Sequence, residues 1–565
     1  MSAFLSALCL LASIQQPTMP AQTPNRLAPF VERLRLDLNE LRDFYDLNGA
    51  DATLDRMTSF YQDARTKLKK AQPMQLRSEE EVDVLLTENF LDYRTRQIEF
   101  ERKKLRETEE LLPFAKQILD LELKRRRLEE IDPRATASIL SDLEKEVKKQ
   151  SDALKKAIEA KKGPSPVVAD RSAKRLDGLL RTLDFWFKQY DGYHPSFSWW
   201  AKKPYDALAQ SLREYSKTIR ERAIGYKEGE DPPLIGDPIG RDALLVDMKA
   251  EMLDHSPEEL LAIADKEFAW CEAEAKRASR EMGHGDDWKK ALAEVKSKHV
   301  EPGEQAQLVA NQAREAIKFV EDRKLVTIEA LCKETWRTEM LSQETQKTLP
   351  FAVYMGQKMG ISFPLSTQDH ETKEMSLRGN NEHFTRAITH HELIPGHHLQ
   401  GYMAERYNNH RRLFSTPFLV EGWALYWEML LWDLDFPRSP EDRMGMLFWR
   451  MHRCARIIVS LKFHLGQMKP QEMIDFLVDR VGHERFTATS EVRRFIGDDY
   501  SPLYQCAYMI GGLQIRELET KYVKSKKMSY QEFHDAILHS GPIPIKMIDK
   551  LLEGKSATAK VSKSK

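Results

Sequence analysis

A chain of 565 residues with 41% hydrophobic content holds enough material for two to four domains and a large buried core. Its 87 basic and 88 acidic side chains nearly cancel, so no global field draws it to nucleic acid or to an anionic membrane, and partners must be argued locally. The five cysteines lack C-x-x-C spacing, which points to neither a disulfide framework nor a thiolate zinc site.

In chain order, Ala3–Ile14 is a largely apolar run, and no charge occurs before Arg26. It is shorter than the roughly 20 residues a bilayer span takes, but it suits the core of a signal peptide. Residues 1–25 are therefore expected to be a signal peptide or a disordered N-terminus. The first reading places the protein in the periplasm or outside the cell, the second in the cytoplasm. Cys9 follows Leu8, which is too large for the usual lipidation signal. No other segment is suited to span a membrane.

Arg26–Lys70 and Glu79–Lys161 read as long, charged amphipathic helices, and 26–235 as a helical N-terminal lobe. The apolar stripe Phe114, Ile118, Leu121, Leu128, Ile131 breaks at Asp132-Pro133, where a helix should end or kink. Gly163-Pro164-Ser165-Pro166 reads as a linker. The aromatic-rich stretch from Phe185 to Trp200 reads as a loop packed into a core, with a substrate-lining surface as the alternative. Helices follow at Ala207–Gly225, Ala243–Leu253, Pro257–Met282, Asp287–Lys298 and Glu304–Arg323. Strand candidates are few: Phe351–Met355 and Ser362–Leu365. Residues 236–552 are assigned to a catalytic region, and 553–565 to a disordered Lys-rich tail.

The chemistry concentrates in His391-Glu392-Leu393-Ile394-Pro395-Gly396-His397-His398 and Glu421-Gly422-Trp423-Ala424. Two histidines and a downstream carboxylate can hold Zn²⁺ with one position open, and a carboxylate beside the first histidine can serve as base. The ordinary H-E-x-x-H pattern works because residues four apart share a helical face. Here the fourth position after His391 is Pro395. On an unbroken helix His397 would lie about 240° round from His391, and His398, on nearly the same face, roughly 10.5 Å along the axis, so neither could share a zinc with it. Pro395 lacks the N–H that bonds to the carbonyl of His391 and clashes with it, and Gly396 admits unusual backbone angles. A bulge at this pair would bring His397 into the ligand position, so His397 ranks above His398. Glu421 lies 24 residues past His397, room for a loop through Arg411–Pro417 and a second helix opening near Phe418.

This layout resembles the gluzincin peptidases, in which a second helix supplies a Glu as third ligand. More specifically, His390–Gln400 and Val420–Glu428 resemble the hallmark blocks of the bacterial domain of unknown function family 885. Arg453–Ser460 running to His464, Ser501–Gly511, and Ile239–Leu244 through Ser256–Leu260 agree with it. The resemblance implies an all-α, two-lobed, zincin-like metallopeptidase fold with minor β structure near the active site and a deep cleft between the lobes. It also implies an edge strand beside the metal helix, to which an extended peptide can pair. The family usually carries Asp where this chain has Ser460, which bears on how His464 would be oriented.

The expected roles follow. One Zn²⁺ per chain is held by His391, His397 and Glu421, and Glu392 moves the proton of the attacking water. His390 and Glu428 are candidates for orienting the ligands; Glu428, seven residues past Glu421, could equally be in a helix–helix ion pair. By the resemblance, Tyr508 and His464 stabilise the developing oxyanion; Tyr504, Gln505 and Tyr508 read equally well as core residues. Arg456 either holds a substrate carboxylate or makes a structural ion pair. The expected activity is zinc-dependent hydrolysis of peptide bonds, in short peptides by analogy with carboxypeptidase Taq and the peptidyl-dipeptidases. The alternatives are a hydrolase of another amide or ester, and an inactive helical binding or scaffold protein.

Overall fold

The computed structural model describes residues 24–563 except 228, 230, 231, 347, 348, 350, 498 and 499. The expected signal peptide therefore lies almost wholly outside the described residues. The fold is all-α with one small sheet. The first half contains α1 (Ala28–Phe44), α2 (Asp51–Ala71), α3 (Ser78–Glu109), α4 (Ala115–Arg126), α5 (Pro133–Glu159), α6 (Pro166–Lys188), α7 (Pro195–Thr218), α8 (Gly240–Ala250), α9 (Pro257–Glu281), α10 (Trp288–Ser297) and α11 (Gln305–Asp322). The second half contains α12 (Ala330–Thr335), α13 (Gln343–Gln346), α14 (His370–Gly379), α15 (Glu382–Glu392), α16 (His397–Ala404), α17 (Pro417–Asp433), α18 (Pro440–His464), α19 (Pro470–Phe476), α20 (Arg485–Ile496), α21 (Tyr504–Glu519), α22 (Tyr530–His539) and α23 (Ile545–Lys563).

The breaks follow local chemistry. Asp132 accepts hydrogen bonds from the N–H groups of Arg134 and Ala135, with Pro133 in the first helical position, so the pair that closes one apolar stripe opens α5. The Ser165 side chain caps α6 in the same way, which makes the second half of the expected linker a helix start. The Ser256 and Glu259 side chains form a reciprocal capping box on α9.

Among the described residues three apolar clusters form the core, and they do not follow a division at residue 235. One fills the bundle α4–α7 with Leu143, Leu183, Trp186 and Phe197 among others. A second joins α1–α3 to the far end of the chain, with Val31, Leu38 and Leu91 packed beside Leu399, Trp427 and Ile548. The third packs α8–α10 against α15, α18, α20 and α21. The expected 26–235 lobe is thus not one packing unit: its first three helices share an apolar core with residues from the far end of the chain. A buried ion network marks the seam, with Asp83 accepting from Arg411 Nε at 2.7 Å and lying 2.9 Å from His410 Nε2.

Three other expectations are revised. The aromatic stretch is the end of α6 and the start of α7; Trp186, Phe187 and Phe197 are buried, whereas Tyr193 and Trp199 are 85% and 82% exposed. The sheet has the order β1 (Arg337–Met340), β3 (Lys358–Ile361), β2 (Ala352–Tyr354), with β1 parallel and β2 antiparallel to β3. The last strand falls just before the expected Ser362–Leu365. The backbone expected to be a disordered tail continues α23 as far as Lys563. Among the described residues no helix is long and apolar enough to cross a membrane, and Cys271, Cys332, Cys454 and Cys506 are buried free thiols.

Candidate metal centre

The site is built on three helices and an interruption. α15 is capped by Asn381, whose side chain accepts from the N–H groups of His383 and Phe384, and carries His391 and Glu392 on its last turn. The helix stops at Glu392 and a new one starts at His397, so Leu393–Gly396 is the expected bulge; the Ile394–Pro395 peptide is cis. The Gly396 N–H donates to the carbonyl of His390 at 3.0 Å. A Cβ at Gly396 would lie 1.8 Å from the carbonyl oxygen of His391, so only glycine fits there. Trp423 Nε1 donates to the carbonyl of Pro395 at 2.9 Å, tying the bulge to α17. The Trp of the Glu421-Gly422-Trp423 block thereby positions the histidine next to which its own Glu works.

α17 in turn lies against α21 at backbone contact. A Cβ on Gly422 would come within 2.5 Å of Gly511, and one on Gly511 within 1.9 Å of the carbonyl oxygen of Phe418. This approach sets Glu421 against the tyrosines of α21. Tyr504 donates its hydroxyl hydrogen to Glu421 Oε1, and Tyr508 stacks on the His391 ring at a centroid distance of 6.1 Å.

His391, His397 and Glu421 are brought together with one potential ligand atom each, all within 4.8 Å of one another. Glu421 Oε2 lies 3.3 Å from His397 Nε2 and 3.6 Å from His391 Nε2, and makes no hydrogen bond of normal geometry. Ligands at 2.0–2.1 Å in a tetrahedron lie roughly 3.3 Å apart, so a buried carboxylate oxygen facing two imidazole nitrogens in this way fits a zinc ion. His391 Nδ1 is 2.7 Å from Glu428 Oε1, the bond that fixes the ring orientation of a ligating histidine. Burial opposes charge on His391, but the facing Glu421 and Glu428 carboxylates outweigh it and raise its pKa to about 9. Burial likewise opposes ionisation of Glu421, yet His397 and His391 hold its pKa well below the usual carboxylate range.

Glu392 lines the same cavity of about 290 Å³, with Tyr354, Arg453, Arg456, Tyr504 and Tyr508. Its pKa is raised, chiefly by burial and further by Glu421, against the pull of His391 and His397. Tyr508 is pushed up to about 12 by burial, so it stays a hydrogen-bond donor at neutral pH. The cavity lies within residues 349–508, not between an N-terminal lobe and a catalytic lobe as expected. Phe351 separates it from a second cavity of about 290 Å³ containing Lys296, Arg378 and His483.

Other sequence expectations separate. His398 is buried away from the metal-type cluster, its Nε2 2.9 Å from the carbonyl oxygen of Cys332. His464 does not line the cavity and is corrected as a catalytic residue: it lies three turns beyond Arg453 on α18, about 16 Å along the axis. There burial lowers its pKa to about 4, with Asp237 and Lys104 as its charged neighbours. Ser460 donates to the carbonyl of Pro502 at 3.4 Å. His390 packs edge-on against Phe436 at 5.6 Å and does not line the cavity. Gln505 is buried and does not line it either. The hydroxyl bond from Tyr504 to Glu421 was not assigned from sequence; the i,i+4 spacing of Tyr504 and Tyr508 was the available signal.

The fold is shared with two solved structures. One is a "putative lipoprotein of unknown function" from Shewanella oneidensis, 18% identical, covering 93% of this chain and 99% of its own, with a TM-score of 0.67. The other is a "putative lipoprotein" from Colwellia psychrerythraea, 13% identical, covering 95% of this chain and 99% of its own, with a TM-score of 0.59. No curated protein matches the sequence. The model of the family "Bacterial protein of unknown function (DUF885)" matches residues 39–552, and the chain belongs to that family.

Proposed function

We propose that this protein is a zinc-dependent hydrolase of peptide bonds, acting on short peptides. The observation that carries the reading is the convergence of His391 Nε2 and His397 Nε2 on Glu421 Oε2, with Glu392 in the same cavity. Zinc held by these three residues would supply Lewis acidity and make water a stronger acid. Glu392, its basicity raised by burial, takes the water proton and returns it to the leaving amine. Tyr508 donates a hydrogen bond to the oxygen on which negative charge develops, and Tyr504 holds Glu421 in place. Glu428 keeps the His391 ring oriented.

The preference for peptides rests on β2. It is an edge strand whose three residues line the cavity. Phe351 and Met355 bond to the partner strand, so by the antiparallel alternation Ala352 and Tyr354 turn their backbone polar groups to the free edge. An extended substrate backbone can pair there. Export to the cell envelope belongs to the same proposal, supported by the apolar run Ala3–Ile14 and by the lipoprotein descriptions of the two fold relatives. Elemental analysis of untagged protein followed by cleavage of a peptide library, read by mass spectrometry beside ester and non-peptide amide libraries, tests the reading. About one zinc per chain and peptide cleavage abolished by chelation are expected; no stoichiometric metal, even after zinc addition, would remove it.

A further inference from the structure

One wall of the cavity carries two arginines whose hydrogen-bond donors the protein only partly meets. Arg453 and Arg456 sit one turn apart on α18, only 8% and 4% exposed, and both line the cavity beside the metal-type cluster. Their guanidinium carbons lie 4.8 and 4.6 Å from the Tyr508 ring centre. That ring also stacks on His391, so neither guanidinium is farther from His391 than those two short steps.

Their partners are few. Glu491 Oε2 takes Arg456 Nη2 at 3.0 Å and Arg494 Nη2 at 2.9 Å, so one carboxylate is shared by two cations. His452, 3.3 Å from the same oxygen, adds no charge, because burial and Arg456 hold its pKa well below the usual value. The nearest carboxylate recorded for Arg453 is Glu428 at 3.8 Å, and Glu428 is already bonded to His391. Arg453 Nε and the Nε and Nη1 atoms of Arg456 are buried without a hydrogen-bond partner. Two desolvated like charges on one helical face, with donors unmet, are costly unless an anion completes them.

The geometry points to a carboxylate-binding subsite formed by Arg453 and Arg456, which selects substrates bearing a carboxylate one or two residues beyond the scissile bond on the leaving side. The spacing follows from reach: an extended chain advances about 3.3–3.6 Å per residue, so one or two residues bridge the metal-type cluster and this wall. The carboxylate is either the free C-terminus of the peptide or an acidic side chain near it. The inference rests on the hydrolase reading and names its substrate class.

Binding, not turnover, tests it. Calorimetry on the full chain carrying Glu392→Gln compares a blocked tripeptide with a free C-terminal carboxylate, its C-terminal amide, and an amide ending in Asp. At least one carboxylate-bearing peptide should bind about 10- to 100-fold more tightly than the neutral amide, the range expected for charge-assisted hydrogen bonds. Preference for the free acid assigns the chain terminus; preference for the Asp amide assigns a side chain. Arg456→Lys and Arg453→Gln should each shrink the ratio between the carboxylate-bearing peptide and the neutral amide at least about tenfold. Arg453→Gln gives up only the 3.8 Å pair with Glu428, whose 2.7 Å bond to His391 remains, and decides the matter should Arg456→Lys fail to fold. Equal binding of all three peptides, or a preference that survives Arg453→Gln undiminished, would overturn the subsite. A chain that hydrolyses neutral amidated peptides as well as carboxylate-bearing ones would keep the hydrolase reading and lose this one; a chain that binds the carboxylate-bearing peptides through Arg453 and Arg456 but hydrolyses nothing would lose the hydrolase reading and keep only the carboxylate site.

Discussion

The α4–α7 bundle and the metal-type cavity are built from opposite materials. The bundle interior is Leu, Trp and Phe, and its charges lie mostly in exposed pairs one turn apart, such as Lys116–Asp120 and Lys145–Asp142. Glu122, buried and paired with Arg125 and Arg126, is the exception. The cavity region buries His391, Glu421, Glu428, Arg453, Arg456 and Glu491, and leaves several of their polar atoms without a normal partner. Buried charge is a poor route to stability, since its desolvation offsets most of what pairing returns. The difference teaches where the molecule is organised for cohesion and where it is organised for chemistry. Truncation in the bundle should cost stability and spare the site, and small polar changes in the cavity should do the converse.

The sharpest way to break this contrast is at the bulge. His397→Ala should abolish metal retention, read by elemental analysis after dialysis. His398→Ala should keep metal near wild type and instead destabilise the fold by about 1–3 kcal/mol, because it leaves the buried Cys332 carbonyl unpaired. The reverse ranking would mean the two histidines had been assigned the wrong way round. A smaller effect is expected at Glu428→Gln, which removes the charge behind His391 and leaves the three candidate ligands in place. Metal affinity should fall about 10- to 100-fold, measured by competition with a chelator. The smallest functional effect belongs to the bundle. Leu143→Ala, at a position with no solvent exposure, should cost about 2–5 kcal/mol in denaturant unfolding while zinc content stays unchanged. Loss of zinc there would show that the two regions are coupled.

Much of the centre was legible because its determinants are local. Pro395 and Gly396 cannot continue a helix through His391, so the interruption, and with it the choice of His397, follows from backbone chemistry within a few residues. The helix bearing Glu421 opens at Pro417, beside the expected Phe418, since the Thr416 side chain caps it. What failed depended on contacts distant in sequence. The bond from Tyr504 to Glu421 exists because two glycine faces let α17 and α21 touch, and helical spacing alone does not reveal that pairing. His464 was expected from the resemblance alone, and membership of a matching block says nothing about which turn of α18 faces the cavity. The packing of α1–α3 onto the last helices was hidden for the same reason: an amphipathic stripe shows that a face is covered, not by what.

The central claim is that Glu392 performs proton transfer at a metal centre complete without it. The most direct measurement is zinc content and turnover of Glu392→Gln beside wild type, on a substrate found by library cleavage and with thermal unfolding as the control for fold. The variant should retain its metal and its unfolding midpoint while the rate falls by about 10²–10⁴-fold, the contribution typical of a positioned general base. A variant that binds zinc and turns over at close to the wild-type rate would contradict the account.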